Sequence, residues 1–353
     1  MSGTPPLLEV RDLTVRFPTR SGVVHAVDGV SFGLQAGESL GLVGESGAGK
    51  SVTALAILGL LPAPGRVVDG SVRLRGRDLA GLDARGWRGV RGREIAMVFQ
   101  DPATSLNPVL PVGRQVTEVL EAHTSLRGRV ARAEAERLLA RVGIPDAGRR
   151  LDDHPHQFSG GQRQRIHLAA ALAGRPALLI ADEPTTALDV TVQAQIVALV
   201  RELRREMGMA VLWITHDLAL VAGVVDRVAV LYAGRIVEEA PAAALFARPA
   251  HPYTRALLAS MPALDGPEPS GRLAAIEGRP PDLLVPPESD PPAHCAFAPR
   301  CPHAADLCWV EAPPLQPVPG GGEDGAHRAA CWFPRSGDGA DPEGDADAGE
   351  DPW

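Results

Sequence analysis

Gly44-Glu45-Ser46-Gly47-Ala48-Gly49-Lys50-Ser51 fits the pattern G-x-x-x-x-G-K-[ST]. The apolar run Ser39–Val43 leads into it, and the apolar run Val52–Leu61 follows it. Strand, glycine loop and helix is the context in which this pattern binds phosphate. Glycines let a backbone close around phosphate oxygens without Cβ clashes. The loop N–H groups and the N-terminus of the following helix then face anionic oxygens. Lys50 is placed to reach the β- and γ-phosphates of a nucleotide, and the Ser51 hydroxyl to ligate Mg²⁺.

The flanking sequence extends this unit into a sheet. Short apolar runs recur at Leu40–Val43, Ile95–Phe99, Leu178–Ala181, Val211–Thr215 and Val228–Tyr232, with helix-like stretches between them. That alternation predicts an α/β fold. Ala177–Ala181 is a continuous apolar run that ends in Asp182 and Glu183. A parallel strand buried on both faces reads this way, and its carboxyl end is where such sheets hold ligands. Asp182 is suited to holding Mg²⁺ through water, and Glu183 to orienting and polarising an attacking water.

Composition bounds the remaining choices. The 353 residues are 45% hydrophobic but only 4% aromatic, so Leu, Val, Ile and Ala must fill the core. The net charge of −8 comes mostly from residues 337–353, which hold seven acids and no Lys or Arg. The near-neutral body argues against a dedicated nucleic-acid binder. Val52–Leu61 is the longest clean apolar run, about half of the ~20 residues a spanning helix needs. Met1–Asp12 lacks the basic-then-apolar layout of a signal peptide, so a cytoplasmic location is expected, with reduced or metal-bound cysteines.

Phe158-Ser159-Gly160-Gly161-Gln162 precedes a helical stretch and lies some twenty residues before Asp182. This segment resembles the signature of ATP-binding-cassette ATPases, usually Leu-Ser-Gly-Gly-Gln, with Phe158 in place of the leucine. The other family motifs occur in order. Gln100, after Ile95–Phe99, resembles the loop glutamine that senses Mg²⁺ and the membrane partner. Ala187-Leu188-Asp189 resembles the loop that couples two nucleotide sites. His216, after Val211–Thr215, resembles the switch histidine that contacts the γ-phosphate. Phe17 sits where the family places a ring on adenine.

The resemblance covers residues 7 to about 245. It implies a P-loop NTPase: a RecA-like core interrupted by a helical subdomain at about 103–172, within a nucleotide-binding domain of 1–248. Gly44, Ser46, Gly47, Gly49, Lys50, Ser51 and Val52 would hold ATP, with Ser51, Gln100 and Asp182 around Mg²⁺. Glu183 and His216 would be catalytic. Two such domains sandwich two ATP molecules in the family, so Ser159, Gly160, Gly161 and Gln162 of one subunit would cap the nucleotide of the other. Hydrolysis should then depend on dimerisation, as a homodimer or with a second, different ATPase.

Two further segments resemble a narrower group. Phe99-Gln100-Asp101-Pro102-Ala103-Thr104-Ser105-Leu106-Asn107-Pro108 is similar to the permease-facing loop in ATPases of dipeptide, oligopeptide and nickel importers. His251-Pro252-Tyr253-Thr254, followed by Ala256-Leu257-Leu258, resembles their C-terminal extension. Residues 249–335 would form that extension, small and rich in Cys and Pro, and residues 336–353 a disordered acidic tail. Cys295, Cys301, Cys308 and Cys331 all fall within 37 residues of it. Their spacing lacks the C-x-x-C pairs of zinc fingers. An iron–sulfur cluster, zinc, and free or disulfide-bonded thiols all remain open from the residues alone. The family likeness adds that some peptide-importer ATPases carry a [4Fe–4S] cluster there. His294 and His303 flank cysteines and read as outer neighbours of such a group or as solvated loop residues.

The expected activity is ATP hydrolysis that energises import of di- or oligopeptides. The protein would sit peripherally on the cytoplasmic face of the cell membrane. Its expected partners are two transmembrane permease subunits and, indirectly, an extracytoplasmic substrate-binding protein. Nickel or glutathione import by the same ATPase type is the alternative, and a non-transport cassette ATPase is a more distant one.

Overall fold

The computed structural model describes residues 5–100, 105–185, 188–261, 276–286, 293–321 and 325–334. Residues 101–104 of the loop after Gln100, residues 186–187 and the acidic tail lie outside them.

The chain begins with β1 (Leu8–Thr19) and β2 (Gly22–Leu34), an antiparallel pair. Leu8, Val10, Leu13 and Val15 of β1 are buried. The change of parity between Val10 and Leu13 comes from a register shift at Asp12, whose φ is 48°. A bulge of this kind puts one extra residue in the strand and returns the next apolar side chains to the same face. β3 (Ser39–Val43) and β4 (Arg66–Leu74) follow, with the helix Lys50–Ile57 between them. β4 pairs with β1, and the short β5 (Arg77–Asp78) pairs with β4.

The second sheet carries the parallel core. β6 (Ile95–Val98), β7 (Leu178–Asp182) and β8 (Ala210–Thr215) join β3 in the parallel order β3-β8-β7-β6. Every residue of these strands is buried, which explains their unbroken apolar runs. β9 (Arg227–Tyr232) lies parallel to β3 on its other side, and β10 (Arg235–Pro241) turns back antiparallel to β9. The sequence runs had placed each of these parallel strands to within one residue at either end.

Between β6 and β7 the described residues form helices and turns. Val112–His123, Gly128–Arg141 and Gly160–Leu172 pack together through Val116, Leu120, Ala135, Leu139 and Ile166.

Beyond β10 the chain does not form a module apart. After the helix Pro252–Ala259 it adds β11 (Leu284–Val285) to the edge of β2. It then adds β12 (Gln316–Pro317) and β13 (Arg328–Ala329), which pairs with β10. The C-terminal segment thus extends both sheets. Its anchor is Glu238 of β10, which is fully buried. The Glu238 carboxylate accepts from the N–H groups of Ala250 at 2.7 Å and His251 at 2.9 Å, and lies 2.7 Å from Nε2 of His327.

Candidate active site

The carboxyl ends of the parallel strands bring the sequence motifs together. β3 runs into the glycine loop, β7 ends at Asp182, β8 leads to His216 and β6 to Gln100. Lys50, Ser51, Gln100, Glu183 and His216 line one cavity of about 780 Å³. That volume lies in the range of small-ligand sites, and the position follows the rule for open parallel sheets.

The loop's shape requires its glycines. A Cβ on Gly44 would sit 2.1 Å from the Leu231 carbonyl oxygen. Gly49 has φ 102°, and a Cβ there would meet the Ala26 carbonyl oxygen at 2.4 Å. Lys50 is buried and donates from Nζ to the carbonyls of Gly44 at 2.8 Å and Glu45 at 2.9 Å. Burial pushes its ammonium below the usual lysine range, opposed by Glu183, Asp182 and Glu45.

The acids are arranged beside it. The Ser51 hydroxyl donates to Asp182 Oδ1 at 3.0 Å. Burial raises the Asp182 carboxyl, and the bond from Ser51 works against that rise. Hydroxyl and carboxylate oxygens so juxtaposed are a hard-donor set that fits Mg²⁺. Glu183 has φ 45°, and its N–H donates to the Ile214 carbonyl at 2.9 Å. Left-handed backbone at a non-glycine residue is costly and concentrates at functional sites. Here it holds the Glu183 carboxylate between Gln100, which donates from Nε2 at 2.9 Å, and His216, whose Nδ1 lies 3.2 Å away.

The signature segment lies apart from the residues that line this cavity. Ser159 caps the helix Gly160–Leu172: its hydroxyl accepts from Gln162 N–H at 3.3 Å, and its own N–H donates to Gln162 Oε1 at 3.1 Å. Phe158 is buried under the Arg150 guanidinium, 3.9 Å from the ring centroid, and so keeps the apolar anchor of the motif. Asp189 caps the helix Val190–Met207 and accepts from Val192 N–H at 2.9 Å, also away from the cavity. Phe17 is not among the lining residues either. Its ring packs over Gly65, while Val24, its partner across β1 and β2, does line the cavity.

The apolar wall comes from the C-terminal segment: Leu257, from the Ala256-Leu257-Leu258 stretch, and Ile276 and Leu283, which no motif marks, line the same cavity. The Glu45 N–H donates to the Tyr253 hydroxyl at 2.9 Å, and Arg300 grips the Glu45 carboxylate with both Nη atoms, at 2.8 and 3.0 Å. Local sequence carries no signal for contacts of this range.

Cys295, Cys301, Cys308 and Cys331 line a second, small cavity of about 20 Å³, with His303, Phe297 and Trp332. Burial pushes the Cys295 thiol up and raises Cys331 to about 11. Thiol sulfur is the soft donor type that iron–sulfur and thiolate metal centres use, and all four cysteines border this space. Among the described residues, no group of three or more His, Cys, Asp or Glu converges to hold a single metal ion.

Comparison with known proteins decides the family. The family model described as "ABC transporter" matches residues 27–186, and the one described as "Oligopeptide/dipeptide transporter, C-terminal region" matches 237–308. A Brucella abortus protein named for peptide import and ATP binding is 53% identical over 318 residues, 90% of this chain and 93% of that protein. The chain belongs to the ATP-binding proteins of ABC transporters. The oligopeptide transport ATP-binding protein OppD of Bacillus subtilis is 51% identical over 312 residues, 88% of this chain and 85% of its own. Among solved structures, a dimeric post-hydrolysis ATP-binding cassette bound to ADP and Pi matches with TM-score 0.60 and 27% identity, over 67% of this chain and 98% of that one. The cassette described here is thus an ABC ATPase. Among the described residues, no helix is long and apolar enough to cross a membrane.

Proposed function

We propose that the protein hydrolyses ATP to drive a membrane importer of di- and oligopeptides. The observation that carries the reading is the convergence of Lys50, Ser51, Gln100, Glu183 and His216 on one cavity at the carboxyl ends of parallel strands. The peptide cargo is supported by the names of the relatives and by the match of the C-terminal region.

In this reading Lys50 leaves the loop carbonyls and binds the β- and γ-phosphates. Ser51, Gln100 and Asp182 would hold Mg²⁺, which would supply charge neutralisation for phosphoryl transfer. Glu183 positions the attacking water and polarises it, and His216 contacts the γ-phosphate. Ser159, Gly160, Gly161 and Gln162 of a second ATPase, identical or different, close the site from above, and Asp189 lies at the coupling loop. A helix N-terminus such as that after Ser159 offers unpaired N–H groups to an anion. Phosphoryl transfer needs positioning and charge neutralisation more than covalent help, so half a cage should be a poor catalyst. The protein docks at the cytoplasmic face of the membrane on two transmembrane permeases, and an external binding protein delivers the cargo. Cys295, Cys301, Cys308 and Cys331 would hold a [4Fe–4S] cluster, whose role there would be to cross-link distant parts of the C-terminal segment.

Purification of the tagged chain from its native membrane tests the transport role. Two polytopic permeases should come with it. Recovery with ribosomes or nucleic acid instead would overturn that role and leave the ATPase in place. Glu183→Gln should keep ATP binding and lose turnover, and full turnover in the assembled complex would move the catalytic role elsewhere.

A further inference from the structure

Arg300 is a cation in the C-terminal segment with almost no exposure: 4% of its side chain is accessible. It ends a short turn, Ala298–Arg300, and precedes Cys301. Phe297, at the start of that turn, is buried against Tyr232 and Tyr253. The turn is therefore fixed by packing before its guanidinium makes any bond.

That guanidinium joins three parts of the molecule. It grips Glu45 of the phosphate loop bidentately. Its Nε donates to the Glu277 carbonyl at 3.0 Å and Nη2 to the Ile276 carbonyl at 3.4 Å. Nη1 also reaches the Tyr232 hydroxyl at 3.3 Å. Glu45 is held a second time, through its N–H, by the Tyr253 hydroxyl at 2.9 Å. Ile276 lines the nucleotide cavity, and the Glu45 carbonyl accepts from Lys50. One side chain thus fixes both the second residue of the phosphate loop and a piece of the cavity wall.

A fork-shaped, always-charged donor suits this task, because two parallel bonds fix orientation as well as distance. Glu45 would otherwise present an uncompensated carboxylate beside the triphosphate. We propose that Arg300 is a positioning residue for ATP binding, through which the C-terminal segment holds the phosphate loop and the cavity wall in their nucleotide-receiving arrangement. The proposal rests on the cavity around Lys50 being the ATP site.

The test uses the full chain, titrated with a fluorescent ATP analogue, and the membrane complex for turnover. Arg300→Gln should raise the Kd and the KM for ATP about tenfold or more, the loss expected for a charged hydrogen-bonded pair, with kcat within about twofold. Arg300→Lys, which keeps the charge and loses the fork, should fall between. Glu45→Gln loses the same contact but also the carboxylate charge, so it should weaken binding less than Arg300→Gln, and the double variant should be no worse than Arg300→Gln, because both remove the same contact. Glu45→Gln carries the test alone if the Arg300 variants fail to fold. An unchanged Kd in a folded variant, a fall in kcat with KM unchanged, or additive losses would each overturn the proposal. Wild-type protein that binds the analogue no better than Lys50→Ala would instead refute the site itself, and the inference with it.

Discussion

Replacing Glu238 with alanine removes the carboxylate from which the C-terminal segment hangs. Oε1 lies 2.7 Å from both the Ala250 N–H nitrogen and His327 Nε2, and Oε2 accepts from His251 N–H at 2.9 Å. Glu238 has no exposure, and His327 and His251 are 3% and 2% exposed. Alanine leaves two backbone donors and an imidazole buried without that partner, and each orphaned group costs about 1–3 kcal/mol. Some relaxation and water entry is expected, so the net loss should approach ~3–5 kcal/mol, as when one member of a buried pair is removed. Glu238→Gln keeps one acceptor oxygen and should lose about half as much. His327→Ala should add little on top of Glu238→Ala, because the two share a contact. Urea unfolding of the full chain measures the stability change. Limited proteolysis reports earlier release of the segment beyond Ala250. A loss under about 1 kcal/mol, or full additivity with His327→Ala, would refute the claim that Glu238 anchors the segment.

The remaining predictions concern the site and its surroundings. Ser51→Ala should raise the Mg²⁺ concentration needed for half-maximal turnover, since it deletes a hard donor beside Asp182; an unchanged Mg²⁺ dependence would remove Ser51 from the ion's shell. Gly49→Ala should weaken ATP binding at least tenfold, because its Cβ would strike the Ala26 carbonyl at a φ of 102°, strain worth ~1–3 kcal/mol. Burial lowers His167 and His251 to about 4 from the ordinary 6.5, so the unfolded chain binds more protons between those values. Stability should therefore be fully present above pH 6.5 and fall as pH drops toward 4, by up to about 3 kcal/mol per histidine. His167→Leu should flatten part of that slope in melting curves taken across the range, and an unchanged slope would show that His167 is not buried neutral.

The parallel core was legible because its physics is local. Leu178–Asp182 and Ala210–Thr215 are buried on both faces, so they read as unbroken apolar runs, and the motifs sit at their ends. The pairing of β1 and β2 was harder to see, because the register shift at Asp12 breaks the alternation that marks a half-buried strand. The C-terminal segment was legible in its composition and in the motif around His251–Thr254, but not in its strands. Its two-residue strands are too short to show any period, yet they extend both sheets. Phe17 pairs with Val24 across β1 and β2, and its ring lies over Gly65. The contacts of Tyr253 and Arg300 with Glu45 carry no local signal, since they span 208 and 255 residues.

These long-range contacts bear on how the site manages charge. Glu45, Asp182 and Glu183 all act on Lys50, and three acids around one lysine make a poor receptor for a triphosphate by themselves. The structure treats the three differently. Glu45 is neutralised internally by Arg300, at the edge of the loop where no ion is needed. Asp182 is buried against the Ser51 hydroxyl, where a divalent cation would compensate it. Glu183 is held between Gln100 and His216, with the amide donating to one carboxylate oxygen and the imidazole beside the other. The C-terminal segment therefore supplies a charge that the cassette's own motifs do not. The same segment carries Ile276 and Leu283 into the cavity, so, on the proposal above, its folding is coupled to the arrangement of the phosphate loop.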